Sequence, residues 1–367
     1  MSLRSFLFVF VIAISSWGLV GCDSDDGGGG GSAQNGDTAA DVQSTDDSQA
    51  TDSSADPGSV PDGVDDTSGD TTTVPDAVEV APEVVEVTPV EVDPHCAALV
   101  EGNNTGFPVD GVERSFMLGL PERSTLAGPW PVIFNWHGFG DSAANMHGFL
   151  KWSVNDATYP FILVTPEDTG LMPPGGMDWD ILKVTDGPGN NEARLFDEVL
   201  TCLDQVYGVD WDRVHTFGFS AGSIMSDLLG VVRGDVIASS ATFSGVYFSN
   251  TPNKDALGAI GGLITWPEMS TENHYSQLLI HGGPTDNYNL SITTLQFNES
   301  GERDVEYLRG RGHDIIHCNH GGGHTIPNTM GSYNAVRFLE AHPKGAKLTW
   351  TSLDADWPDY CNLKPVQ

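Results

Sequence analysis

The sequence predicts an α/β fold, in which a mostly parallel, doubly wound sheet has helices on both faces. Two observations lead to this prediction. Short apolar segments alternate along the chain with longer segments that repeat an apolar residue every three or four positions. The run at 130–136 is apolar almost throughout, which is typical of a parallel strand buried on both faces. In such sheets, functional side chains gather at the carboxyl ends of the strands.

The predicted elements follow one another in a regular order. Strands are expected at 112–120, 130–136, 161–165, 214–219, 237–243 and 277–281, and a last strand is expected to begin at 315. Helices are expected at 143–156, 191–207, 302–312 and 330–341. This alternation indicates that helices cross over between parallel strands.

The N-terminus is predicted to direct export. Residues 1–21 read as a signal peptide, because Arg4 precedes an apolar run too short to span a bilayer. The run ends in Leu19-Val20-Gly21-Cys22, which resembles a bacterial lipobox. That resemblance implies lipidation of Cys22 and a firm membrane anchor, since such cysteines carry several acyl chains. A plain secretory signal with a chance cysteine is the alternative, and it also predicts export.

Residues 22–94 are predicted to form a disordered, acidic linker. Between positions 23 and 93 the chain has no Lys, Arg or aromatic residue, and it holds 19 of the 51 acidic residues of the protein. Such a composition buries too little apolar surface to offset the entropy lost on ordering. We therefore interpret the segment as a tether that holds a folded domain, residues 95–367, away from a membrane.

Charge and cysteine content narrow the possible partners and compartment. The net charge of −35 disfavours nucleic acid as a partner, because the phosphate backbone would be repelled. Besides Cys22, the chain has four cysteines: Cys96, Cys202, Cys318 and Cys361. An even number in an exported chain predicts two disulfides, and the sequence leaves all three pairings open. Four buried free thiols are the alternative.

The segment Gly218-Phe219-Ser220-Ala221-Gly222 lies between a predicted strand and a predicted helix. In this setting G-x-S-x-G is the nucleophile elbow of an α/β-hydrolase, where a sharp turn presents the serine. Glycine is needed on both sides because a Cβ would clash within the turn. We therefore predict that Ser220 is a nucleophile, with an ordinary Gly/Ser turn as the alternative.

A serine hydroxyl needs a base to accept its proton and an acid to orient that base. In this fold the acid and then the base follow the serine along the chain. His324 is the predicted base, because it follows three glycines on a loop after the last predicted strand. Asp286 is the predicted acid, because it comes shortly after the preceding strand. Asp304 and Asp314 are second choices, since they occupy positions typical of solvated charges.

An oxyanion hole requires two N–H donors in fixed positions. We expect one from the amide of Ala221, directly after the nucleophile. The second is expected from the amide of Phe139, in the loop His137-Gly138-Phe139-Gly140 that follows the strand 130–136. The side chain of His137 is expected to brace this loop rather than to transfer protons.

Histidine and cysteine are concentrated between positions 313 and 324, and both are zinc ligands. The spacing matches no common zinc template. A strand would also point His317 and His320 to opposite faces. We therefore predict neither a metal nor a cofactor.

Two long insertions, 171–190 and 247–275, follow strand ends and are rich in large side chains. They either line an apolar binding wall or simply pack against the domain. The side chains in question are Met172, Met177, Trp179, Tyr247, Phe248 and Trp266.

The segment Val209-Asp-Trp-Asp-Arg-Val-His-Thr-Phe-Gly-Phe-Ser-Ala-Gly-Ser-Ile-Met resembles the pattern VD..RV...G.SAGG.M of one esterase family. This family comprises secreted poly(3-hydroxybutyrate) depolymerase-like, feruloyl and acetylxylan esterases, carbohydrate esterase family 1 in the broad sense. The segments at 137–138, 281–286 and 323–327 are similar in kind and order, so the resemblance spans about 111–339. It implies that Ser220, Asp286 and His324 form a catalytic triad.

Three departures from the family pattern surround the pocket. Ser223 replaces a usual glycine, Ile326 replaces a frequent tryptophan, and Asn287-Tyr288 replaces a Val-Pro pair. They leave the substrate open among hydroxybutyrate-like, feruloyl and acetyl esters. The sequence therefore predicts an exported, monomeric serine esterase that needs no cofactor. A serine peptidase of the same fold and a non-catalytic binding protein on a hydrolase scaffold are the alternatives.

Overall fold

The computed structural model of the protein describes residues 91–122, 128–169, 178–182, 190–269, 272, 274–291 and 293–366. The predicted signal peptide, Cys22 and most of the predicted linker lie outside the described residues. Met172 and Met177 lie outside them as well.

Nine strands form one large sheet, and two more form a small hairpin within the described part of the chain. The strands are β1 (Gly102–Val109), β2 (Val112–Gly119), β3 (Trp130–Trp136), β4 (Ile162–Pro166), β5 (Val209–Phe219), β6 (Ser239–Phe243), β7 (Ser276–His281), β8 (Asn287–Asn289), β9 (Thr294–Gln296), β10 (Ile315–Asn319) and β11 (Cys361–Lys364). The order in the sheet is β1-β2-β4-β3-β5-β6-β7-β10-β11. The run from β4 to β10 is parallel throughout, and antiparallel pairs occur only towards the two edges.

The helices pack on both faces of this sheet. They are α1 (Pro94–Ala97), α2 (Ala143–Leu150), α3 (Asn191–Tyr207), α4 (Ala221–Val232), α5 (Thr251–Ala256), α6 (Phe297–Arg309) and α7 (Gly331–Ala341). The α3 helix begins where predicted, because the side chain of Asn190 accepts hydrogen bonds from the amides of Glu192 and Ala193 in its first turn. It ends at Gly208, whose φ of 76° is incompatible with a further turn of right-handed helix. In the described residues, no helix is long and apolar enough to cross a membrane.

Successive side chains of a strand point to opposite faces of the sheet, so the hydrophobic core has two layers, one on each face. On β3, Val132 and Phe134 join the core that α3 and α4 cover, whereas Ile133 joins the core under α2 and α7. All three side chains are fully buried, and each such burial contributes about 1.5–3 kcal/mol to folding. The predicted doubly wound sheet with helices on both faces is therefore confirmed.

The four cysteines form two disulfides, and the structure gives the pairing that the sequence left open. Cys96 in α1 is bonded to Cys202 in α3, and Cys318 in β10 is bonded to Cys361 in β11. The second pair consists of directly opposite residues in an antiparallel ladder. The strand at 315 is consequently not the last, because β11 returns to pair beside it.

Candidate active site

Ser220 lies on a strained turn between β5 and α4. Its φ of 56° and ψ of −119° are rare for a residue with a side chain. A Cβ on Gly218 would lie 2.2 Å from the carbonyl oxygen of Gly222. A Cβ on Gly222 would lie 2.1 Å from the carbonyl oxygen of Trp136. Because backbone atoms block both positions, only glycine permits the close approach that presents Ser220 at the edge of the sheet.

The three side chains predicted to form a triad meet in one hydrogen-bonded chain. The Oγ of Ser220 is 2.8 Å from Nε2 of His324, and Nδ1 of His324 is 2.7 Å from Oδ1 of Asp286. Asp286 is fully buried, whereas the side chain of His324 is 21% exposed. The acid is therefore shielded from water, whereas the imidazole remains partly accessible from the surface.

Neighbouring groups fix the orientation of the Asp286 carboxylate. Its Oδ2 accepts hydrogen bonds from Ser244 Oγ at 2.8 Å and from the Gly282 amide at 2.7 Å. The other oxygen, Oδ1, is left to face His324. Ser244 was missed by sequence reasoning. The available signal was its place as a small polar residue directly after β6, the strand between those that carry Ser220 and Asp286.

The imidazole of His324 contacts two phenyl rings. Phe297 stacks on one face, with ring centroids 4.6 Å apart and planes 16° apart. Phe219 packs with its ring centroid 5.0 Å away and its plane tilted by 31°. The loop before the histidine is anchored by the Gly323 amide, which donates to Gly282 at 2.7 Å. Sequence reasoning missed both phenyl contacts, because no local pattern reports them.

The two residues predicted to supply the oxyanion amides belong to segments that adjoin Ser220. A Cβ on Gly138 would lie 3.5 Å from the Cβ of Ser220, so the loop that contains Phe139 passes directly beside the nucleophile. Ala221 is the first residue of α4, and an amide in the first turn has no acceptor within its own helix. That these two amides form an oxyanion hole stays a prediction.

The loop 137–140 is held by one of its own side chains and by two residues of the following insertion. Nδ1 of His137 donates to the carbonyl of Gly138 at 2.9 Å, and Trp179 Nε1 donates to the carbonyl of His137 at 2.9 Å. The Gly140 amide donates to Asp178 at 2.7 Å. The buried His137 ring accordingly braces this loop.

The aromatic side chains of the two insertions mainly pack in the core. Trp179, Tyr247, Phe248 and Trp266 are all buried, and Trp266 donates its Nε1 proton to the carbonyl of Ile181. For these side chains the packing interpretation is correct.

A different aromatic pair joins the loop 137–140 to the segment that follows Asp286. The ring of Phe139 meets that of Tyr288 edge to face, with centroids 6.0 Å apart. Tyr288 is 37% exposed and comes two residues after Asp286.

The two acids that were second choices for the triad, Asp304 and Asp314, form hydrogen bonds with groups outside the triad. Asp304 is buried and accepts hydrogen bonds from Asn250, Asn253 and the amide of Tyr247. Burial raises its pKa to about 7, so the expectation of a solvated charge was wrong. The carboxylate of Asp314 accepts from backbone amides near the C-terminal end of the chain.

Metal-ligating side chains meet at two further places among the described residues. One group joins His281, Glu302 and His317, and the other joins His137 with Glu167 and Asp168. A third group of histidine and cysteine side chains includes the sulfurs already joined in the Cys96–Cys202 disulfide.

No family model matches the chain. Two curated relatives match part of it. Feruloyl esterase B of Talaromyces stipitatus is 28% identical over 150 residues, which are 41% of this chain and 39% of that protein. Acetylxylan esterase A of Aspergillus awamori is 28% identical over 155 residues, 40% of this chain and 49% of that protein. Each match spans less than half the length of the relative. They confirm the resemblance to feruloyl and acetylxylan esterases.

Solved structures of similar fold cover most of the chain. Native pOPH superposes with a TM-score of 0.57 and 18% identity, over 76% of this chain and 98% of that one. Native sOPH gives a TM-score of 0.55 and 17% identity, over 72% and 94%. The chain therefore has an α/β-hydrolase fold. In sequence, it is similar to carboxylic ester hydrolases.

Proposed function

We propose that this protein is a carboxylic ester hydrolase that works through a triad of Ser220, His324 and Asp286. The observation that carries the proposal is the hydrogen-bonded chain from Ser220 Oγ through the imidazole to Asp286, with links of 2.8 Å and 2.7 Å. A nucleophile, a base and an orienting acid in this geometry are what acyl transfer requires. The names of the curated relatives support esters as the substrates.

In the first half of the reaction, Ser220 Oγ attacks the ester carbonyl carbon while Nε2 of His324 accepts the hydroxyl proton. The carbonyl oxygen becomes an oxyanion and accepts hydrogen bonds from the amides of Phe139 and Ala221. When the tetrahedral intermediate collapses, the C–O bond to the alcohol breaks. The leaving alcohol takes the proton from His324, and the acyl group stays on Ser220.

In the second half, water attacks the acyl-enzyme and gives its proton to Nε2 of His324. Collapse of the second intermediate releases the carboxylic acid and returns the proton to Ser220. Asp286 accepts a hydrogen bond from Nδ1–H of the imidazole throughout and does not take up the proton. It thereby holds the tautomer in which Nε2 is free to act as a base and stabilises the imidazolium that forms.

We propose feruloyl or acetyl esters of plant polysaccharides as the substrates, with hydroxybutyrate-like polyesters or oligoesters as the other class to be tested. The pair of Phe139 and Tyr288 beside the triad favours an aromatic acyl group, because aromatic rings bind one another edge to face. Hydrolysis of methyl ferulate, acetylated xylan and hydroxybutyrate oligomers by the purified protein distinguishes these classes. Inactivity on all three would reject the proposed substrate range.

Replacement of the nucleophile tests the mechanism. Ser220→Ala is expected to lower kcat for p-nitrophenyl acetate by about a thousandfold or more and to abolish labelling by a fluorophosphonate probe. Ser153→Ala is the matched control, because Ser153 lies in the turn after α2 and should leave activity and labelling unchanged. Activity or labelling that persists in Ser220→Ala would contradict the proposal.

We further propose that the protein is exported and anchored to a membrane through a lipid on Cys22. The two disulfides support export, since thiols in the bacterial cytosol are kept reduced. In cells, the protein should partition with membranes, and Cys22→Ser should move it to the soluble fraction. Equal partitioning of both forms would reject the anchor.

A further inference from the structure

Three metal-ligating side chains converge behind the loop that carries Asp286. His281 is the last residue of β7, His317 lies on β10, and Glu302 lies on α6. The two Nε2 atoms are 2.7 Å apart. Oε1 of Glu302 lies 3.6 Å from Nε2 of His281 and 3.7 Å from Nε2 of His317. The Nε2 atoms of the two histidines and Oε1 of Glu302 thus lie within 3.7 Å of one another.

The fold builds this cluster from distant parts of the chain. β7 and β10 are parallel neighbours, and Asn319 is paired with His281. Because side chains alternate along a strand, His317 lies on the same face as His281. Helix α6 covers that face, and a Cβ on Gly301 would lie 2.6 Å from Cδ2 of His281. A glycine at position 301 therefore leaves room for the imidazole.

The donor set suits zinc. Zinc takes imidazole nitrogen and carboxylate oxygen at about 2.0–2.1 Å in a tetrahedron, which separates ligand atoms by about 3.3 Å. The two distances to Glu302, 3.6 Å and 3.7 Å, are already close to that separation. The two histidine nitrogens need to move apart by about 0.6 Å to reach it, which small rotations of the rings provide.

Two of the three candidate ligands are buried, and the third lies at the surface. His281 is 1% exposed and His317 is 7% exposed, whereas the side chain of Glu302 is 54% exposed. An ion can therefore enter past the carboxylate and meet two imidazoles whose positions are set by the sheet. Water in the remaining position would complete four-fold coordination.

We propose that His281 Nε2, His317 Nε2 and the Glu302 carboxylate bind a zinc ion that joins β7, β10 and α6. None of the three belongs to the proposed triad, and the site does not depend on ester hydrolysis. Its position is structurally relevant, because Gly282, next to His281, donates a hydrogen bond to Asp286. Bound zinc is therefore expected to stabilise the fold around the acid loop.

Cobalt titration tests the site directly, since Co²⁺ replaces zinc and absorbs visible light when bound tetrahedrally. Chelator-treated protein should bind one equivalent of Co²⁺ with such a band, and Zn²⁺ should displace it. Glu302→Gln should weaken Co²⁺ binding at least tenfold, and His317→Gln should abolish the band. Zn²⁺ should raise the Tm of the wild type and have a smaller effect on Glu302→Gln.

His274→Gln is the matched control, because His274 is an exposed histidine outside the cluster. It should bind Co²⁺ as the wild type does. Glu302→Gln keeps the test decisive even if His317→Gln fails to fold, because the replaced side chain is largely exposed. The proposal is overturned if the wild type shows no tetrahedral band. It is overturned equally if Glu302→Gln and His274→Gln bind Co²⁺ with the affinity of the wild type.

Discussion

The imidazole of His324 is stacked on the ring of Phe297, with centroids 4.6 Å apart and planes 16° apart. The backbone amide of Phe297 also donates to the carbonyl of Asp286 at 3.0 Å. One residue at the start of α6 thus contacts both the proposed base and the proposed acid. The phenyl ring limits how far the imidazole can tilt, and so keeps Nε2 directed at Ser220.

Phe297→Leu is expected to lower kcat by about ten- to a hundredfold with little change in KM. The reason is that a base displaced by about 1 Å transfers protons poorly although the substrate still binds. Steady-state kinetics with p-nitrophenyl acetate measures both parameters. Leucine keeps the backbone hydrogen bond to Asp286, so the change reports on the ring alone.

Phe149→Leu is the control for this variant. Phe149 is a partly buried phenyl ring that packs against Phe217 and Phe243 rather than against His324. It should lose some stability and keep its kcat. Similar losses of kcat in both variants would assign the effect to general destabilisation.

The sequence was sufficient to predict that Ser220, Asp286 and His324 come together, because each follows a recognisable strand and the fold fixes their order. The glycines at positions 218 and 222 were predictable too, because the tight turn at Ser220 leaves no room for a Cβ at either position. The contacts that position these groups were not predictable. Phe297 and Ser244 reach the triad only through the packing of α6 and β6, and local sequence patterns do not report such packing.

Two strands of the large sheet also escaped prediction. β1 contains Gly, Asn and Pro, and β11 has only four residues, so neither shows the apolar pattern of a strand. Their pairing with longer strands stabilises them instead.

The burial of Asp304 was not predicted either. Its position in the sequence is typical of a solvated charge, and its burial depends on hydrogen bonds from Asn250 and Asn253 in a distant segment.

Tyr288→Ala is expected to raise KM for methyl ferulate about two- to tenfold, the equivalent of one lost aromatic contact. KM for p-nitrophenyl acetate should change less, because the acetyl group offers no ring for the tyrosine to contact. Tyr333→Ala, at an exposed tyrosine on α7, is the control and should affect neither substrate. Equal changes for both esters would remove Tyr288 from the acyl-binding surface.

Gly222→Ala is expected to destabilise the protein by more than about 3 kcal/mol, because its Cβ would overlap a backbone carbonyl that cannot move aside. Gly148→Ala is the matched control in helix α2, where an added Cβ has no atom within 4 Å. That substitution should stabilise the protein by about 0.5–1 kcal/mol. Thermal unfolding of both variants checks the contrast, which fails if the two midpoints shift alike.

Removal of the Cys96–Cys202 disulfide is expected to cost more stability than removal of Cys318–Cys361. The sequence separations are 106 and 43 residues. The loss of loop-closure entropy predicts costs of about 4.8 and about 4 kcal/mol. Denaturant unfolding of the two double Cys→Ala variants measures these values. A larger loss for the shorter loop would mean that native packing, rather than loop entropy, decides the cost.

Acid is expected to destabilise the protein partly through His147. Burial lowers its pKa from 6.5 to about 4, and its Nδ1 is 2.9 Å from Thr165 Oγ1. Below pH 6.5 the unfolded chain binds a proton that the folded chain does not. This group's contribution is therefore complete above pH 6.5 and is lost as the pH falls towards 4. The loss reaches about 3 kcal/mol.

His147→Asn is expected to reduce that pH dependence, because asparagine retains a hydrogen-bonding group near Thr165 and does not titrate. Urea unfolding at about pH 7 and about pH 4.5 should show a smaller loss of stability in the variant than in the wild type. Asp304 acts in the opposite direction, since its raised pKa of about 7 removes stability as the pH rises from about 4. Its effect is common to both proteins, so their difference isolates His147. Equal losses in the two proteins would show that His147 is protonated in the folded state.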